Sequence, residues 1–72
     1  MENCNVVLTG VPEDKKGKII SILRSEIGIN LTGAKVMVAN LPSIVKANVS
    51  KDVADEIASN LIAAGAEVSV QT

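Results

Sequence analysis

Residues 49–70 read VSKDVADEIASNLIAAGAEVSV, and the fold turns on this stretch. Ser50 stands where a helix N-cap belongs, because its side-chain oxygen accepts from a backbone N–H of the first turn. Asp52 follows in that turn, where a negative charge suits the positive end of the helix. Ala54, Ile57, Ala58 and Leu61 recur at three- and four-residue spacing and make one apolar stripe. Gly65 is placed to end the helix as the left-handed residue just past its last turn. Beyond it Ala66, Val68 and Val70 alternate with Glu67 and Ser69, the period of a strand with one covered face. The reading is a helix over Lys51–Ala64 running straight into a strand over Ala66–Val70.

Working back towards the N-terminus, the same signals recur. Ile44–Val49 is a second strand, interrupted by Lys46 and Asn48. Asn40, Leu41 and Pro42 stop a short helix over Gly33–Ala39, for which Thr32 is the expected N-cap and Ala34, Met37 and Val38 the apolar face. Before it, Ile19, Ile22, Leu23 and Ile27 have helical spacing over about Lys15–Glu26, with Asp14 as the expected N-cap and Gly28 as the C-terminal stop. Val6, Val7 and Leu8 form the core of a first strand, Asn5–Thr9, closed by Gly10 and Pro12. The order is β-α-α-β-α-β. The expected fold class is α+β, in two layers: a three-stranded antiparallel sheet covered by three helices.

Length and composition bound the rest. A chain of 72 residues makes a single domain, here 1–72, and one of this size buries only about 60% of the surface its unfolded form exposes. Nearly half the residues are apolar and none is aromatic, so Val, Ile, Leu and Ala must build the core. With no His and one cysteine, Cys4, neither a zinc site nor an internal disulfide is expected. A lone thiol fits a reducing compartment, and the expected localisation is cytoplasmic. No aromatic platform exists for stacking bases, and a net charge of −1 argues against binding a phosphate backbone. No apolar run approaches the ~20 residues of a membrane span. Asp52 and Glu56 sit four apart but read as solvated helix charge rather than a metal cage. Catalysis, cofactor and metal are all expected to be absent.

Two stretches resemble a known family. Val49-Ser50-Lys51-Asp52, the helix after it, and Ala63-Ala64-Gly65-Ala66-Glu67-Val68 are similar to the end of the C-terminal domain of the bacterial ribosomal stalk protein. Ile29-Asn30-Leu31-Thr32-Gly33-Ala34-Lys35 resembles that family's Leu-Gly-Leu-Lys-Glu-Ala-Lys turn and helix start, and Ile19–Arg24 matches its first helix apart from one polar position. The likeness extends over about Asn5–Gln71. It implies the same β-α-α-β-α-β fold and a non-catalytic interaction module. In the family the first two helices recruit translational GTPases through basic and aliphatic side chains. Carried over by position, that surface is Lys16, Ile20, Arg24 and Lys35.

The spacing agrees with part of this, since Lys16, Ile20 and Arg24 are four apart and share one helix stripe. Lys15 and Lys18 add positive charge nearby, which steers an acidic partner, although the same cluster also fits an ordinary solvated face. Among the departures from the family, Gly17 replaces an apolar residue, Ser21 a lysine, Asn30 a glycine and Thr32 a lysine, and the loop before the first helix is one residue longer. The family's N-terminal dimerisation helices and Ala-rich hinge have no counterpart in these residues, so the expectation is a free-standing copy of the domain. An adaptor of the Clp-protease-adaptor-like fold is the alternative, but the histidine and acidic substrate-binding features of that family are missing. A fold-only relative with an unrelated protein partner is the other. Val7 and other β-formers in excess of what the inner face of the sheet holds suggest a possible homodimer through its open face.

Overall fold

A computed structural model describes residues 3–72. Three strands, β1 (Cys4–Gly10), β2 (Ser43–Val49) and β3 (Glu67–Gln71), and three helices, α1 (Lys16–Ile27), α2 (Leu31–Ala39) and α3 (Lys51–Ala63), follow one another in the order β-α-α-β-α-β. The sheet is antiparallel with spatial order β2-β1-β3, so the first strand is central and the other two are edges. All three helices pack on one face.

The central strand sets the core. Cys4, Val6 and Leu8 point inward and are fully buried, meeting Ile19 and Leu23 of α1, Ala34 and Val38 of α2, and Ala54, Ile57 and Leu61 of α3. Leu8, Ile19, Leu23 and Leu61 are the largest of the fully buried side chains. Each contributes roughly 1.5–3 kcal/mol by leaving water. Val68 and Val70 pair across from Leu8 and Val6 and extend the apolar layer onto β3. The residues expected to line α3, Ala54, Ile57, Ala58 and Leu61, are all buried. On α1 the covered stripe narrows to Ile19 and Leu23, with Ile22 and Ile27 half-buried at its sides.

The helix ends follow local chemistry, with two corrections to the caps expected from sequence. Asp14 does not cap α1. It lies inside a 3-10 turn, Glu13–Lys15, which begins after an extended Pro12 and is closed by the Lys15 N–H donating to the Pro12 carbonyl. That turn runs directly into α1 at Lys16 with no side-chain cap. Thr32 does not cap α2 either. Asn30 does, its Oδ1 accepting the Gly33 N–H at 2.7 Å, so α2 starts two residues earlier than expected, at Leu31. Asn is among the strongest N-cap residues, and its backbone is already extended here, which leaves Thr32 inside the first turn. Ser50 caps α3 as expected, accepting from the Val53 N–H.

Gly28 has φ 67° and its N–H donates to the Arg24 carbonyl, so the left-handed stop of α1 forms as expected. Gly65, at φ 102°, reverses the chain between α3 and β3.

The second strand is the irregular one. Its ladder with β1 steps from Cys4↔Val49 to Val6↔Lys46 and then to Val7↔Ile44, so the register shifts twice within seven residues. Asn48 sits at φ 58° beside one of these shifts, and its N–H donates to Asn5 Oδ1 rather than to a strand carbonyl. Asn tolerates the left-handed region better than most residues. The interruption expected at Lys46 and Asn48 is therefore a pair of bulges in a strand that still forms.

Candidate interaction face on the first two helices

The four residues marked by sequence lie on two helices that pack against each other, three on α1 and one on α2. Lys16 opens α1, with its side chain 41% exposed and its Nζ 3.6 Å from Glu13 Oε2. One turn on, Ile20 is half-buried and packs against the core. A further turn on, Arg24 is exposed in the last turn, where a cation suits the negative helix end. With a rise of about 1.5 Å per residue, the Lys16–Arg24 stripe is about 12 Å long. Lys35 is exposed on α2, which packs against α1. Lys15 and Lys18 are also exposed, although the stem of Lys15 lies over Gly65.

Sequence reading passed over two exposed apolar residues of the second helix. Leu31 is 43% exposed and Val36 is 54% exposed, both on α2. Leu31 was missed because the helix was expected to start at Gly33. Once Asn30 is the cap, Leu31 is the first helical residue and lies four before Lys35, on its stripe. Val36 could have been found from helical phase: it is two residues from Ala34 and two from Val38, both buried, and so falls on the opposite side. The face thus combines exposed cations with exposed aliphatic carbon, while Ile20 is more a core-edge residue than a projecting one.

Gly17 leaves an open place on this face. A Cβ built there meets no atom within 4 Å, so the glycine is not required by crowding. Gly33 differs: a Cβ there would approach Ile29 Cγ1 to 2.7 Å, and the Gly33 N–H is the donor that Asn30 needs. Asn30 and Gly33 are therefore physically linked, as cap and capped residue.

Among the described residues no three His, Cys, Asp or Glu side chains gather to hold a metal ion, and Cys4 is buried in the core. Among the described residues no helix is long and apolar enough to cross a membrane.

Fold and face together define a two-layer α+β domain that presents a basic and aliphatic helix pair to solvent. The family model for the ribosomal protein L7/L12 C-terminal domain matches residues 4–71, and the chain belongs to that family. It is 45% identical over 67 residues to the large ribosomal subunit protein bL12 of Clostridioides difficile, covering 93% of this chain and 54% of that protein. Against bL12 of Herpetosiphon aurantiacus the identity is 42%, covering 92% of this chain and 52% of the relative. Against bL12c of the alga Gracilaria tenuistipitata it is 37%, covering 93% and 51%. The chain thus spans about half the length of the curated relatives it matches.

Proposed function

We propose that this domain is a non-catalytic docking module of the ribosomal stalk type, and that its α1–α2 face binds translational GTPases. The observation that carries the reading is that the packed pair α1 and α2 carries exposed Arg24 and Lys35 and part-exposed Lys16 together with half-buried Ile20 and exposed Leu31 and Val36. Family membership supports the same reading. Cations at the rim of such a face act mainly on association, by steering an acidic partner, while the aliphatic residues desolvate at its centre. Fast and reversible capture needs no catalytic group.

The test is an NMR titration of labelled protein with the translational GTPases of its own source. The expected result is a set of shifts confined to Lys16, Ile20, Arg24, Leu31, Lys35 and Val36. Lys16→Glu with Arg24→Gln should weaken binding roughly tenfold or more and flatten its salt dependence. The glutamate falls in the first turn of α1, where it suits the helix dipole, so the fold is retained. Unchanged capture by this double variant would reject the face.

A further inference from the structure

The two edges of the sheet are not alike. β2 carries two register shifts, the left-handed Asn48 and the charged Lys46, all of which spoil a flat row of backbone donors and acceptors. β3 is regular from Asn5↔Gln71 to Leu8↔Val68, and the shift near Gly10 falls on the β1 side of that pairing. Among the described residues, no backbone hydrogen bond from a turn, loop or cap reaches the far side of β3. Its sequence is Glu67-Val68-Ser69-Val70-Gln71. Set antiparallel against itself about Ser69, Glu67 faces Gln71 of a second copy, Val68 faces Val70, and Ser69 faces Ser69. No like charges oppose, an amide stands ready for each carboxylate, and the β-branched pairs fall where cross-strand packing is favourable.

The helix layer agrees with this register. α3 packs over β3 and β1, and its Asn60 donates to Glu26 on α1, so the opposite flank of α3 looks out past β3. That flank carries Lys51, Asp55 and Ile62, and Ile62 is 54% exposed. Strands pair about 4.8 Å apart, so a dyad beside β3 lies about 2.4 Å outside it, and an α3 that packs on both β3 and β1, with its axis between them, would come to about 10 Å from its partner, within reach of ordinary helix packing. We infer that the free edge of β3 pairs with β3 of a second copy, joining two sheets into one of six strands with both α3 helices side by side. The site differs from the α1–α2 face and does not depend on it. It also moves self-association from the open face of the sheet, where sequence alone had put it, to the edge.

Sedimentation equilibrium of the 72-residue chain from micromolar to near-millimolar concentration tests this, beside two charge variants. Gln71→Glu sets two carboxylate pairs opposite each other in the dimer, and Glu67→Lys combined with Gln71→Glu turns both into ion pairs. Both positions are exposed, and backbone amide spectra will show that the monomer fold is kept. The expected result is a reversible dimer, weakened roughly tenfold by Gln71→Glu and restored to at least wild-type affinity by the double variant. A monomer at every concentration would overturn the inference. So would a dimer that is indifferent to Gln71→Glu, or one that the second charge change fails to rescue.

Discussion

Gly17 shows how one residue separates what the fold needs from what the surface offers. It lies in the first turn of α1 with open space where its side chain would be, and its backbone is ordinary helix. Glycine there costs up to about 1 kcal/mol relative to alanine, through the freedom it must lose on folding. Gly17→Ala is therefore expected to raise stability by roughly 0.5–1 kcal/mol in urea unfolding, with the slope unchanged. Gly17→Val restores the apolar residue that the family carries beside its first-helix lysine. It should tighten partner binding if the face docks as proposed, which calorimetry against a translational GTPase would read directly. The basic residues of the face were legible at this scale, because Lys16, Ile20 and Arg24 announce themselves by spacing. Leu31 and Val36 were not, since an aliphatic residue shows whether it is covered only when the helix phase is known.

At the scale of elements, most of the fold could be read before any coordinates. Val6 and Leu8, the α3 stripe from Ala54 to Leu61, and the stops at Gly28 and Gly65 each obey a local rule that tertiary structure had no reason to override. Failures fall at the N-terminal ends of α1 and α2, where several cap-forming residues compete within a few positions. Pro12, Asp14 and Lys15 resolve into a 3-10 turn, and Asn30 wins over Thr32 because its oxygen reaches the Gly33 N–H. The competition has a measurable consequence. Asn30→Ala should destabilise the protein by about 1 kcal/mol, whereas Thr32→Ala should leave it within about half that of wild type. Equal losses from the two, measured by thermal unfolding, would mean that the cap is shared. The two bulges of β2 were only hinted at by Lys46 and Asn48, since a register shift belongs to a pair of strands and one strand's sequence does not encode it.

For the whole molecule, stability rests on a thin aliphatic core. A domain this short has one layer of side chains between sheet and helices, and Leu61 lies in it, fully buried against β1 and α1 residues. Leu61→Ala should cost roughly 2–5 kcal/mol, a large share of the 4–10 kcal/mol expected for a domain of this size. Part of the population is then expected to be unfolded at physiological temperature, seen as lost dispersion in amide spectra. The surface, by contrast, is free to change. Gly17, Ser21 and Thr32, where the sequence reading marks departures from the resembled pattern, are all exposed, so changes there leave the buried scaffold untouched.

The irregular second strand bears on how many copies a growing assembly would hold. A sheet with two competent edges adds molecules at both ends and has no natural stop. Here the double bulge and the left-handed Asn48 leave β2 a poor acceptor, so each molecule is monovalent through its sheet. On the inferred pairing, β3 would use up that single valence, and growth would terminate at two subunits instead of running on into a fibril.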